Sequence, residues 1–506
     1  MLNKTKNNNY LVVKNKNIVP KETNFSAWYS SIISEAKLAL YTSVKGSIIF
    51  LPNAWLIWQL IKEKIDNEFK KIGVKNVQLP TFINANDFMK EVKHIGGFAP
   101  ETFTVSTCLS NPFKLNSAND SQITNKFIAN KQNISFHESI VIRPTSEVIF
   151  CDCFKKILNS YNDLPILYNQ WCNVFRNEKN TRPFLRTNEF YWQELHTIHQ
   201  TEQEAIAQTL QTIKIYKKIL KNELCMPFIY GEKTINERFA GAMKTFALES
   251  LMPDGQALQC CTSHYLGQNF AKAYDIKYQN QHNQIDYVYQ TSAGLSTRII
   301  GGLIMTHSDN NGLVLPLNLA PIQIAIIPLE KDNLQIDNCI KNILKNIKNK
   351  YRIEIDDSDK SLGFKINNYQ IQGTVFIILI GKNEIQKNVL TIIQRNQPEK
   401  IEINPINLKH FLKENGKNYQ KQLYEKAKCF FDSSIVKANN FDEFKQAINQ
   451  HKFVEVKFKQ SIENEEKIKK LTGATARCIK HKAKKNDKCF FSNEQATDIV
   501  YFARSY

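Results

Sequence analysis

Apolar residues recur at three- and four-residue spacing from about Ala54 to Ile72. Trp55, Trp58, Ile61, Ile65, Phe69 and Ile72 share one side of the predicted helix, and Gly73 is placed to end it. A short strand, Asn76 to Pro80, is expected to follow. From Trp171 to His196 the pattern reads strand, polar loop, strand. A second amphipathic helix, roughly Glu202 to Leu224, places Ile206, Leu210, Ile213 and Leu220 on one face, and the stretch from Thr197 to Leu258 reads as mostly helical. Residues 106 to 135 are rich in Ser, Asn and Lys without periodicity, which predicts a long surface insertion.

The texture changes after Pro316 and Pro321. Strand-like runs at 322–327, 352–355 and 375–380 alternate with helical stretches at 333–349 and 359–371, a small α/β unit on a largely parallel sheet. A basic amphipathic stretch from about Leu408 to Phe431 then leads into a Lys-rich final segment. No internal repeat is visible.

With 506 residues, 42% of them hydrophobic, the chain supports two or three folded domains and is not a mainly disordered protein. The net charge of +19 has two readings of similar weight, attraction to a polyanion such as nucleic acid or an anionic membrane surface, and a plain compositional bias toward Lys, Asn and Ile. Eleven scattered cysteines without a CxxC pair indicate neither a disulfide framework nor a zinc ribbon, so a cytoplasmic setting is expected. No apolar run approaches the ~18 residues of a membrane span. The stretch before Glu22 is Lys/Asn-rich, lacks Arg and shows no amphipathic pattern, which reads as a basic tail over 1–23 rather than a transit peptide.

Chemistry concentrates in Trp171-Cys-Asn-Val-Phe-Arg-Asn-Glu178 and Phe184-Leu-Arg-Thr-Asn-Glu-Phe-Tyr-Trp-Gln-Glu-Leu-His196. In extended strands, period two puts Phe190, Trp192, Glu194 and His196 on one face, and Val174, Arg176 and Glu178 on one face of the strand before. Facing strands would give one cleft a guanidinium, carboxylates and aromatic walls. A surface hairpin with incidental ion pairs is the plainer alternative, but it would leave Phe190 and Trp192 together in water. A cleft for a charged ligand is therefore expected.

This segment resembles motif 2 of the class II prolyl-tRNA synthetases of the archaeal/eukaryotic type with a C-terminal extension. Further similar blocks follow the family's order: Asn24-Phe-Ser-Ala-Trp-Tyr-Ser30, Val141-Ile-Arg-Pro-Thr-Ser-Glu147, Gln259 to Asn269, and Gly294-Leu-Ser-Thr-Arg298 leading to His307–Pro316. The resemblance implies an α+β architecture: a class II catalytic domain over 24–318 (an antiparallel sheet flanked by helices), an α/β anticodon-binding domain over 319–407, and a small α+β C-terminal domain over 408–506. It implies activation of L-proline with ATP, accompanied by Mg²⁺, to prolyl-adenylate, followed by transfer to the 3′ end of tRNA(Pro). It also implies a homodimer, through the motif 1-like Asn76–Pro80.

By the same resemblance, Arg176 would bridge the proline carboxylate and the α-phosphate, Glu178 would face adenine and Arg298 the outer phosphates, these three being the catalytic set. Arg186, Thr187, Gln259, Thr262 and Ser296 would complete the nucleotide site. Thr145 and Glu147 would meet the proline amine; Phe190, Trp192 and His264 would wall its ring. Each has a plainer reading, since Thr145 could cap a helix and His264 could be an ordinary core histidine. Glu194 is a plausible neighbour of the metal. Gly301-Gly302 would let a helix approach the sheet closely. No editing domain is expected between motifs 2 and 3.

Departures from the family lie elsewhere. Ala293 stands where relatives carry Trp, and Cys260-Cys261 replaces a smaller pair. Gln370 and Ile377 occupy anticodon-reading positions, leaving stacking on Phe364 or Tyr369 and phosphate contacts from Lys365 and Lys382. Of the positions of a four-cysteine zinc site, only Cys489 is a cysteine; Lys459, Asn464 and Phe491 hold the others, so no zinc is expected. Two rival readings follow, a catalytically inactive RNA-binding or regulatory relative and a synthetase for threonine, serine or histidine. The retained Arg176, Glu178, Arg298, Thr145 and Glu147 speak against the first, and the Thr-Ser-Glu and Trp-Gln-Glu-Leu-His runs against the second.

Overall fold

The computed structural model describes residues 17–89, 102–105 and 140–506. The insertion expected at 106–135 and the tail up to residue 16 lie outside them. The first long helix spans Pro52–Lys71, with proline at its opening position, where a missing N–H leaves no hydrogen bond unmade. It buries Ala54, Ile57, Trp58, Ile61, Ile65 and Phe69, and Gly73 follows it at φ +82°. The strand expected at 76–80 is shorter: Lys75–Asn76 pairs in parallel with Tyr168 and Asn169.

The centre of the molecule is an antiparallel hairpin of Ile166–Phe175 and Glu189–His199, in register from Ile166 opposite Ile198 to Phe175 opposite Glu189. Tyr289–Ser296, Gln256–Gly267, Lys244–Leu251 and Ile229–Glu232 extend the sheet beyond Glu189–His199. The stretch 197–258 is therefore not mostly helix; it holds two whole strands of this sheet and the ends of two more.

Helix Glu202–Asn222 covers the sheet with a stripe one position away from the expected one. Ala205, Thr209, Thr212, Tyr216 and Ile219 are buried with Ile213 and Leu220, while Leu210 is exposed. The threonines tolerate burial because their hydroxyls bond back to the carbonyls of Ala205 and Gln208, both at 2.9 Å.

Strands Ile324–Pro328, Ile353–Ile355 and Phe376–Ile380 run parallel, as the alternating pattern predicted. Leu390–Gln394 and then Lys400–Ile403 extend the sheet antiparallel beyond Phe376–Ile380. This unit locks onto the preceding one through Arg395, whose fork donates to both carboxylate oxygens of Asp309 at 2.9 and 2.7 Å.

Helix Leu408–Ser433 leads to the last strands, which do not form a separate sheet. Thr475–Lys482 joins Ile229–Glu232 through Ile479 opposite Glu232, and Asp498–Ser505 pairs in parallel with Gln256 and Ala257. Eleven strands thus form one continuous sheet. Across the seam Glu249, fully buried, accepts from Arg477 Nε at 2.6 Å and also pairs with buried Lys233.

Candidate active site

Two adjoining cavities open on the face of the central hairpin. The first, about 660 Å³, is lined by Arg176, Glu178, Arg186, Thr187, Gln259, Thr262, Ser296 and Arg298, the whole nucleotide set expected from sequence. The second, about 970 Å³, is lined by Thr145, Glu147, Trp192 and His264. Arg176, Trp192, Gln259 and Thr262 border both. Phe190, expected beside the proline ring, faces the first cavity instead. Period two correctly set it on the face of Trp192, but its position at the far end of the strand carries it to the nucleotide side.

Each guanidinium is held from behind. Arg176 donates Nε to the Pro144 carbonyl at 3.1 Å and lies over the rings of Phe190 and Trp192 at 5.2 and 5.6 Å. Arg298 donates Nε to the Leu185 carbonyl at 2.9 Å. Burial, with Arg176 and Arg186 nearby, pushes its pKa down to about 10. Arg186 pairs with Glu178 at 2.6 Å. Three guanidiniums converging on one cavity favour a polyanionic occupant.

In the second cavity Thr145 Oγ1 donates to Glu147. The cap of helix Glu147–Ile157 is Ser146, so Thr145 is left to face the cavity. His264 is buried, takes a bond with Thr245 Oγ1 at 3.0 Å, and packs 4.6 Å from the Phe239 ring. Burial drives its pKa down to about 3, so it is a neutral, largely apolar wall near neutral pH. Ala293 lines the same cavity.

Among the described residues Glu147, Glu194 and His196 gather their ligand atoms within 4.8 Å. Glu194 is already engaged: it accepts from the Ser146 amide (3.2 Å) and hydroxyl, from Gln170 Nε2 (2.9 Å), and lies 3.4 Å from His196 Nε2. These donors hold its pKa down despite burial, and they make it an anchor of the cavity wall rather than a vacant cation ligand. The sequence did not reveal Glu237, Arg238, Phe239 and Ala240, which also line the second cavity. They lie in a loop with no periodicity, between strands whose pattern is short.

Away from the cavities, two expected RNA contacts are withdrawn from solvent. Lys365 is buried, donating to the Asp356 carbonyl at 2.9 Å, and Tyr369 is buried with its hydroxyl on Glu354. Phe364 is exposed; Lys382 pairs with Glu330. At the zinc-site positions, Cys489 sits among Phe444, Phe458 and Phe490, Lys459 pairs with Glu494 at 2.7 Å, and Phe491 packs 5.0 Å from Phe441. One thiol beside an ammonium and a phenyl ring does not fit a tetrahedral metal.

The tRNA synthetase class II core domain (G, H, P, S and T) matches residues 129–307, an anticodon binding domain 323–415, and the prolyl-tRNA synthetase C-terminal domain 441–506. A proline--tRNA ligase of Ureaplasma parvum serovar 3 is 46% identical over 494 residues, covering 97% of this chain and 99% of the relative. The crystal structure of prolyl-tRNA synthetase from Cryptosporidium parvum with halofuginone and AMPPNP superposes at TM-score 0.86, with 33% identity and 96% of each chain covered. The same enzyme with L-proline and AMP gives 0.87 at 31% identity, also over 96% of each chain. With the paired cavities and all three domains in place, the chain belongs to the class II prolyl-tRNA synthetases, a family of aminoacyl-tRNA ligases.

Proposed function

We propose that this chain activates L-proline with ATP and transfers it to the 3′ end of tRNA(Pro). The observation that carries this reading is the convergence of Arg176, Arg186 and Arg298 on one cavity that opens into a second holding Glu147. ATP fits the first: Arg298 and Arg186 face outer phosphates, Glu178 and Phe190 the base, with Thr187, Gln259, Thr262 and Ser296 around the ribose and phosphates. Proline fits the second: Glu147 and Thr145 meet its secondary ammonium, and Trp192 with neutral His264 flank the apolar ring.

Arg176 borders both cavities, so it can bridge the amino-acid carboxylate and the α-phosphate. A carboxylate oxygen attacks the α-phosphorus in line and pyrophosphate leaves. No proton must move, so positioning and charge neutralisation carry the step. The terminal ribose hydroxyl of the tRNA then attacks the prolyl carbonyl and AMP leaves. Mg²⁺ accompanies the ATP phosphates, which are its natural ligands.

The division at residues 24–318, 319–407 and 408–506, a homodimer, a cytoplasmic location and a zinc-free C-terminal domain belong to the same proposal. No described helix is long and apolar enough to cross a membrane. Proline-dependent exchange of pyrophosphate with ATP tests the function. No exchange with proline, or exchange with threonine or serine instead, would overturn it, and stoichiometric zinc in the purified protein would refute the account of the C-terminal domain.

A further inference from the structure

The loop 233–243 forms a wall of the second cavity through Glu237, Arg238, Phe239 and Ala240. Its inner side is tied to the proline pocket: the Phe239 amide donates to Thr245 Oγ1 at 3.1 Å, and that hydroxyl also bonds His264. Its outer side is tied to the C-terminal domain. Thr234 Oγ1 donates to Glu465 Oε2 at 3.0 Å, both residues being buried. The Ile235 amide donates to Gln460 Oε1 at 3.3 Å. Arg477 lies 3.9 Å from the Glu237 carboxylate while its fork engages Glu249.

We propose that the C-terminal domain sets the affinity for proline, with Glu465 and Gln460 as positioning residues that hold loop 233–243 against the amino-acid cavity. This inference rests on the proline-activating reading above. The ties are specific to one substrate, because the four loop residues line the second cavity and none lines the first. A carboxyl group belongs at 465 rather than a hydrophobe, because the loop presents a buried hydroxyl that needs an acceptor. Burial and the nearby Glu237 raise the Glu465 pKa to about 7, against the opposing effects of Thr234, Asn236 and Lys233, so this group is enclosed by the loop rather than solvated beside it.

Pyrophosphate exchange kinetics with Glu465→Ala test the proposal. Loss of one buried hydrogen bond is worth about tenfold, so KM for proline should rise five- to tenfold with KM for ATP and kcat within about twofold. Glu465→Gln, which keeps an acceptor, should restore proline KM. Should Glu465→Ala not fold, Gln460→Ala, which breaks the neighbouring tie at a half-buried position, should give the same split. Equal shifts in both KM values, or no shift in a folded variant, would overturn the inference. Wild-type protein without proline-dependent exchange would instead remove the function on which it rests.

Discussion

Arg176 and Arg298 are both partly buried guanidiniums lining one cavity, yet they predict different failures. Arg176 lies over the rings of Phe190 and Trp192, donates Nε to a backbone carbonyl and borders both cavities. A lysine there keeps the charge but loses the fork and the stacking. Arg176→Lys should therefore lower kcat for exchange by about 100-fold or more, and a variant within fivefold of wild type would contradict the bridging role. Burial and the repulsion of Arg298 by Arg176 and Arg186 depress its pKa, so bound phosphates should stabilise this cluster. Residue identities and their order in the pocket were legible because chemistry restricts which side chains can serve. Exposure was not. Lys365 reads as a solvated lysine, but Asp356 supplies it with a carbonyl and a carboxylate inside the fold. Glu465 is the reverse case, a carboxyl whose pKa is raised to about 7. The folded state then holds its proton more tightly than the unfolded chain, so its stabilising effect is complete below about pH 4.5 and fades as pH rises through about 7. Glu465→Gln should flatten the wild-type decline of Tm between pH 5 and 7.5. An unchanged slope would show that Glu465 does not titrate in that window.

Among elements, the helix Arg298–His307 shows how a packing requirement serves the chemistry. A Cβ on Gly301 would stand 2.5 Å from Leu185 Cδ2 and 2.8 Å from the Tyr29 hydroxyl; one on Gly302 would meet Leu258 at 2.5 Å. The pair lets the helix lie close enough for Arg298, its first residue, to reach the Leu185 carbonyl. Gly301→Ala gains up to about 1 kcal/mol of helix propensity but loses roughly 1–3 kcal/mol to overpacking, so the net effect should be destabilising. Because Leu185 is what moves, KM for ATP should rise with it. A more stable variant with unchanged ATP affinity would refute the coupling. The Gly-Gly pair was readable as a close approach, whereas the buried face of Glu202–Asn222 was not. Thr209, Thr212 and Tyr216 take the core side by hydrogen bonding, and a pattern read from aliphatic residues alone points about one position away.

At the scale of the whole molecule, the seam between the catalytic strands and the last strands is the feature that local pattern could not supply. Ile229–Glu232 and Thr475–Lys482 meet across more than two hundred residues of chain, and local pattern marks neither: the first lies in a stretch that reads as mostly helical, the second in the Lys-rich final segment. The charges that fix the seam, Lys233, Glu249 and Arg477, look in sequence like ordinary surface residues, although all three are buried. Taking ions out of water is expensive, and their mutual attraction offsets that only while every partner is present. Here Lys233 and Arg477 share one carboxylate, whose pKa the two cations hold down despite full burial. Glu249→Gln should thus strand two cations in the interior and destabilise the fold by about 3–5 kcal/mol. Because one sheet runs through the catalytic strands and the C-terminal strands, the wild-type regions should unfold together in urea. In Glu249→Gln the C-terminal strands should separate at lower urea, carrying with them the support of the loop over the proline cavity. Tryptophan fluorescence follows the catalytic region, whose Trp171 and Trp192 lie in the central hairpin, and amide exchange in Thr475–Lys482 and Asp498–Ser505 follows the C-terminal one. Coincident transitions in wild type and displaced ones in the variant are expected; displaced transitions already in wild type would mean that the shared sheet does not couple the two regions.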